Sequence, residues 1–171
     1  MFKNNFFLNP KRTKERGFRS FIKKLITLPV VNFLNYCGFL NINYSFVHGS
    51  KSRLSLGENC STMNTFFNLI SGTIRVGSNT IFGHNCMVLT GTHNFFNGKR
   101  GSLNLPQIKE TPLDGRDILI GEGCFIGSGA ILIGPLIIGD NVIIAAGSVV
   151  NKNIPNACFV AGVPAEVKKK F

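Results

Sequence analysis

Aliphatic residues recur every six positions toward the C-terminus, at Ile120, Ile126, Leu132, Ile138, Ile144 and Val150, without a slip of phase. Four residues after each stands a second small or non-polar side chain: Cys124, Ala130, Leu136, Val142, Ser148 and Ile154. A strand alternates every two residues and a helix repeats near 3.6, so neither sustains this beat. A strict period of six implies short strands joined at regular corners, with both marked positions of each hexad facing a narrow interior. The beat also runs upstream through Ile70, Val76, Phe82 and Val88, followed four residues on by Ile74, Thr80, Cys86 and Thr92. Leu56 with Cys60 extends it further back, in a register shifted by two.

Three hexads make one triangular coil of about 18 residues, and coils stack at roughly 4.8 Å, so the two blocks predict an all-β solenoid of about four to five coils. Its height is then about 20–25 Å. Glycine follows the aliphatic residue at Gly121, Gly127 and Gly139, near corners where a residue without Cβ tolerates positive φ. Between the blocks, a segment from about Asn94 to Asp117 abandons the period and contains Gly98, Gly101, Pro106, Pro112 and Gly115. A loop this long, extruded from a regular solenoid, points to function. It departs directly after Thr92 and His93. With Val88 and Thr92 inside, His93 is expected to face outward at the root of the loop.

Residues 1–50 differ in kind from residues 51–171, which form the expected solenoid domain. Lys11, Arg12, Lys14, Arg16, Arg19, Lys23 and Lys24 are interleaved with Phe18, Phe21, Ile22, Leu25 and Ile26 at helical spacing. Two roles are open to such a basic amphipathic helix: covering the unpaired edge of the first coil, or peripheral contact with an anionic membrane. The first is favoured. The uncharged run after Leu25 is interrupted by Pro29, Asn32, Asn35, Asn41 and Asn43, which makes it a poor membrane span.

Charge adds a constraint on partners. Nineteen Lys and Arg residues against eight Asp and Glu give a net charge of +11, which suits an anionic nucleotide, acidic polysaccharide or membrane surface. Nucleic acid is not expected, because no repeating aromatic-and-basic pattern accompanies the charge. The five cysteines are odd in number and form no CxxC pair; Cys60, Cys86 and Cys124 fall on the small-residue phase and read as packing. With no secretory signal evident, a reducing cytoplasm is the expected location, at the inner face of the membrane if the basic segment docks there.

Three stretches carry a resemblance to a known family: Thr90-Gly-Thr-His-Asn94 ahead of the extruded loop, Ile138-Gly-Asp-Asn-Val-Ile-Ile-Ala-Ala-Gly-Ser-Val-Val150, and Ala161-Gly-Val-Pro-Ala-Glu-Val167. From about Leu56 to the end, the chain resembles the hexapeptide-repeat acyltransferases, in the maltose, galactoside, xenobiotic and capsule-polysaccharide O-acetyltransferase branch. The resemblance implies a left-handed parallel β-helix that assembles as a homotrimer, with active sites in clefts between subunits. It implies acetyl transfer from acetyl-CoA to a sugar hydroxyl, with His93 as general base and oxyanion donors near Gly127 and Ser128. For the cofactor it implies Phe125, where relatives often have tryptophan, together with Ser128, Ala146, Asn151, Lys152 and Lys169. Glu166 departs from the pattern, since some relatives place a basic residue there.

Acceptor recognition is the least specified part. Asn64 and Asn68, in Met63-Asn-Thr-Phe-Phe-Asn68, are candidates for sugar hydroxyls or for corner structure; Phe95 and Phe96 are candidates for stacking on a sugar ring or for anchoring the loop. The mismatch with the maltose and galactoside pattern favours a surface polysaccharide, capsule or O-antigen, or its precursor. Three alternatives stay open: N-acetylation of an amino sugar, a γ-class carbonic anhydrase and a non-enzymatic solenoid. The second needs three histidines on a metal; His48, His84 and His93 lack the close spacing of that family's metal pair, so no metal is expected.

Overall fold

The computed structural model describes residues 29–30, 33, 45–101 and 110–171. The chain falls into two compact units, Met1–Tyr44 and Ser45–Phe171. Within the first, Pro29, Val30 and Phe33 are helical; the expected amphipathic helix around Phe18–Ile26 lies outside the described residues.

The second unit is a left-handed parallel β-helix of five coils with three faces, A, B and C. The first coil comprises β1 (Phe46–His48) on face A, β2 (Leu54–Leu56) on face B and β3 (Ser61–Thr62) on face C. The second repeats this as β4 (Phe66–Asn68), β5 (Ile74–Val76) and β6 (Ile81–Phe82). In the third, β7 (Met87–Leu89) leads into the extruded loop. That loop carries a hairpin of β8 (Phe95–Phe96) and β9 (Lys99–Arg100) before the coil resumes with β10 (Ile118–Ile120) and β11 (Phe125–Ile126). The fourth is β12 (Ile131–Ile133), β13 (Leu136–Ile138) and β14 (Ile143–Ile144). The last has β15 (Val149–Val150), a bridge from Ile154 to Ile138, and β16 (Cys158–Gly162). Finally β17 (Ala165–Lys170) folds back antiparallel on β16 and ends face C with a lysine-rich edge strand, a common guard against edge pairing.

All twelve positions of the C-terminal beat are buried, eleven of them in one continuous hydrophobic core and Ser148 as a buried polar residue. The eighteen-residue coil holds there, with Ile118 against Leu136 and Ile131 against Val149. Coils nearer the N-terminus are longer: Leu54 pairs with Ile74 and Ser61 with Ile81, twenty residues apart, which is the shift of two read from Leu56 and Cys60.

These longer coils correct two inward assignments. Leu69 rather than Ile70 is buried, and Thr90 rather than Thr92. Thr90 is the interior residue because its hydroxyl donates to the Asn68 carbonyl at 2.8 Å and accepts from the Ser71 N–H at 3.2 Å. Its polar atom is therefore satisfied inside. His93 is exposed as expected, although Thr92 is only half-buried.

The glycine expectation also needs correction. Gly121, Gly127 and Gly139 do not have positive φ; a Cβ there would collide with the next coil, for example 2.5 Å from the Ala146 nitrogen at Gly127. Positive φ occurs two residues further on, at Gly123, Gly129 and Asn141, and again at Gly147. Close approach and corner geometry are thus served by different residues.

Core and corner substitutions should separate in chemical denaturation. Leu132→Ala should cost about 2–5 kcal/mol through cavity formation. Gly129→Ala has open space around its Cβ but φ of +70°, and should cost about 1–2 kcal/mol. Gly121→Ala, whose Cβ would meet Gly139 backbone at 2.5 Å, should lower the midpoint more than Gly129→Ala.

Candidate active site

At the corner from face C to face A, successive coils place Gly83-His84, Gly127-Ser128 and Ala145-Ala146 in one column. Missing side chains allow the close stacking: a Cβ on Gly83 would lie 2.5 Å from the Ser128 nitrogen, and one on Gly127 equally close to that of Ala146. The ladder consumes most donors here. Gly127 N–H donates to Ile144 O at 2.8 Å, Gly129 N–H to His84 O at 2.9 Å and Gly147 N–H to Ser128 O at 2.9 Å. The N–H groups of Ser128 and Ala146, both exposed residues, donate to no described group. Gly127 is therefore removed as an oxyanion donor, since its proton is already spent. Ser128 remains, with its hydroxyl oxygen accepting from His84 N–H at 3.1 Å.

Phe125 projects from face C in register with Ile81 and Ile143, and Ile143 is in turn in register with Phe159. Lys169 on β17 pairs with Phe159, and its ammonium lies 5.1 Å from the Phe171 ring centre. Face C thus presents an apolar strip leading to a cation. Glu166 is occupied by Lys168 at 3.0 Å. That hydrogen bond first, and the Lys168 and Lys152 charges with it, hold its carboxyl below the usual carboxylate range.

The corner from face A to face B holds the remaining candidates. His93 stands at the loop root, with Nδ1 3.9 Å from Oε1 of Glu110 on the returning limb. The same oxygen lies 3.7 Å from the Arg100 guanidinium. Backbone bonds set this arrangement: Asn94 N–H donates to Glu110 O at 2.9 Å and Gly101 N–H to Asn94 O at 2.7 Å. Between them projects the β8–β9 hairpin, turned at Asn97-Gly98 with both residues at positive φ, as a two-residue hairpin turn requires. Phe95 and Phe96 are 67% and 60% exposed, so neither is packed against the described part of the coil.

Polar contacts fasten the loop to the first coils. Arg53, beside β2, donates to Leu113 O at 2.6 Å and to Asp114 at 2.9 Å. Thr73 donates both its N–H, at 2.6 Å, and its hydroxyl, at 2.9 Å, to Asp117 Oδ1. Arg116 Nε donates to Thr90 O at 2.9 Å. Asn68 caps this corner, its Oδ1 accepting from Ile70 N–H at 3.1 Å. Asn151 and Lys152 lie exposed on the same corner in the last coil.

Two groups of candidates therefore emerge, on opposite edges of face A. His93, Phe95, Phe96, Asn68, Asn151 and Lys152 belong to one edge; Ser128, Ala146 and Asn64 belong to the other, with Phe125 and Lys169 beyond it on face C. Asn64 is a corner residue with φ of 49°, and its side-chain oxygen is buried without a hydrogen-bond partner. Sequence reasoning missed Glu110, Arg100, Arg53 and Asp117. Nothing in the spacing of these residues marks them, because the loop that unites them has no period.

Comparison with known proteins converges on the same architecture. The model of the bacterial transferase hexapeptide (six repeats) matches residues 117–152. That match places a hexapeptide repeat on the C-terminal coils of the solenoid. Galactoside O-acetyltransferase of Lactococcus lactis subsp. lactis (strain IL1403) is 33% identical over 98 residues, covering 57% of this chain and 44% of its own length. WbbJ of Escherichia coli (strain K12), provisionally named for O-acetyl transfer in lipopolysaccharide biosynthesis, is 29% identical over 101 residues. That match covers 58% of this chain and 51% of WbbJ, so the chain spans about half the length of these two relatives. Among solved structures, a galactoside acetyltransferase in complex with coenzyme A is 28% identical with a TM-score of 0.57, covering 74% of this chain and 58% of that one. A maltose O-acetyltransferase from Clostridium difficile 630 is also 28% identical, with a TM-score of 0.54 and coverage of 74% and 66%.

The loop anchor makes a pH prediction. Hydrogen bonding from Thr73, backbone first and then side chain, holds the Asp117 carboxyl below its ordinary value, with lesser help from the Arg75 and Arg53 charges. A depressed folded value stabilises the fold above the unfolded aspartate value of about 3.9, and that contribution disappears as pH falls through the folded value. The Tm difference between wild type and Asp117→Asn should thus be largest at neutral pH and shrink in acid; calorimetry across that range measures it.

Proposed function

We propose that this chain is an acetyl-CoA-dependent O-acetyltransferase acting on a sugar hydroxyl in a bacterial surface polysaccharide, capsule or O-antigen, or in its precursor. The observation that carries the reading is the pair of unspent N–H groups at Ser128 and Ala146, stacked on a column kept narrow by Gly83 and Gly127. Extended amides of a pantetheine arm need such donors. Phe125 supplies an apolar wall beside them. Asn151, Lys152 and Lys169 supply polar and cationic contacts for the nucleotide end, and the net charge of +11 favours both that end and an acidic acceptor.

Acetyl-CoA supplies the activated acyl group, and the chain supplies a base and an oxyanion donor. His93 accepts the hydroxyl proton as the sugar oxygen attacks the thioester carbonyl. The Ser128 N–H receives the negative charge that develops on the carbonyl oxygen. Collapse forms the ester and breaks the C–S bond; the leaving thiolate takes the proton from the imidazolium. No acyl-enzyme is needed, and burial raises the thiols of Cys86 and Cys124 above their usual value, so both stay protonated. Because His93 and Ser128 occupy opposite edges of face A, the working site takes one edge from each of two chains, in a homotrimer. Phe95, Phe96, Asn64 and Asn68 line the acceptor side, and the enzyme works at a cytoplasmic location.

His93→Ala should lower kcat by roughly 10²–10⁴ with little change in acetyl-CoA affinity. Ala146→Trp should fold normally and raise the KM for acetyl-CoA by filling the donor column. Mass spectrometry of surface polysaccharide from cells with and without the protein should show the loss of one acetyl per modified unit. Normal turnover in the His93 variant, or unchanged polysaccharide, would contradict the proposal.

A further inference from the structure

The extruded loop brings together three charged or ionisable side chains from separate positions: His93 at its root, Arg100 on the second hairpin strand and Glu110 on the returning limb. One oxygen, Glu110 Oε1, faces both partners, 3.9 Å from His93 Nδ1 and 3.7 Å from the Arg100 guanidinium. The backbone places this oxygen deliberately, since Asn94 N–H pairs with the carbonyl of Glu110 itself at 2.9 Å. Both carboxylate and imidazole are about half exposed, so the charge pair by itself contributes little to stability. A carboxylate beside one ring nitrogen of an imidazole bears instead on which nitrogen carries the proton.

We infer that Glu110 is the positioning residue of His93, fixing its neutral ring as the Nδ1–H tautomer, and that Arg100 holds Glu110 in place; this rests on the reading of His93 as the base. A neutral imidazole has one donor and one acceptor nitrogen, and the partner of one nitrogen decides the other. A carboxylate beside Nδ1 selects the proton there and leaves the Nε2 lone pair for the acceptor hydroxyl. The opposite tautomer would present an N–H where a base is required. Separations near 4 Å in the resting site shorten when substrate closes it, as is common for catalytic hydrogen bonds. Arg100 adds a mechanical link. It lies directly across the hairpin from Phe95, so the exposed aromatic arm and the carboxylate that orients the base move as one piece.

The test uses the full-length protein with ring-nitrogen NMR at alkaline pH, where the imidazole is neutral, and His93→Ala to assign the signal among the three histidines. Wild type should show the Nδ1–H tautomer, Glu110→Ala should shift it toward Nε2–H, and Glu110→Gln, which keeps an acceptor oxygen, should restore it. Turnover should follow: Glu110→Ala lowers kcat about 10- to 100-fold, part of the 10²–10⁴ of the base itself, with acetyl-CoA KM unchanged. Arg100→Gln should produce a smaller loss in the same direction. An identical tautomer in wild type and Glu110→Ala overturns the positioning role and leaves the base assignment standing. A tautomer that shifts while kcat stays at the wild-type level overturns His93 as the base, and the inference with it.

Discussion

Every coil of this protein depends on handing its backbone donors to the coil beside it. Parallel strands of two or three residues make few hydrogen bonds each, so the ladder must continue through the corners to keep the stack satisfied. It does so at Gly127 N–H to Ile144 O and Gly121 N–H to Ile138 O, both 2.8 Å. Such closeness leaves no room for a Cβ, which is why glycine follows the aliphatic residue of the hexad. The same stacking lifts Ser128 and Ala146 out of the ladder. Unspent donors on a regular scaffold are then a property of the fold that chemistry can use, held in place without any further machinery.

The edge that carries His93 is built by the opposite means. The loop from face A to face B has no repeat to hold it, and its ordering entropy must be offset by specific polar contacts. Arg53 reaches it from the first coil, Thr73 grips Asp117 from the second, and Arg116 turns back to the Thr90 carbonyl. Thr90 is itself tied inward to Asn68. His93 is therefore mounted on a chain of contacts that begins in the solenoid core and ends at its surface. In the proposed function, a rigid column for the donor and a stapled loop for the base would divide the work between periodic and aperiodic sequence.

That division also explains what could be read from the residues. The period of six specified the coils, the buried aliphatic and small positions and the exit point of the loop, because all follow from one repeating geometry. Even the shifted register at Leu56 and Cys60 reappears as the twenty-residue pairing of Leu54 with Ile74. Two errors come from extrapolating the beat: Ile70 and Thr92 were placed inside, but the longer coils bring Leu69 and Thr90 there. Gly127 was a plausible donor until the ladder claimed its proton. Glu110 and Arg100 were invisible, since their meeting with His93 depends on a hairpin and a returning limb that no spacing rule encodes.

The proposal stands or falls on whether the two edges of face A act from different chains. Mixing inactive His93→Ala subunits with donor-blocked Ala146→Trp subunits, unfolding lightly and reassembling, gives clefts that pair an intact base edge with an intact donor edge. For random assembly at equal amounts that fraction is about one quarter, so activity should return to about a quarter of the wild-type value. If both edges instead served one site within a single chain, every subunit in the mixture would carry a lesion. Activity would then remain at the level of the separate variants, and the shared-cleft account would be wrong.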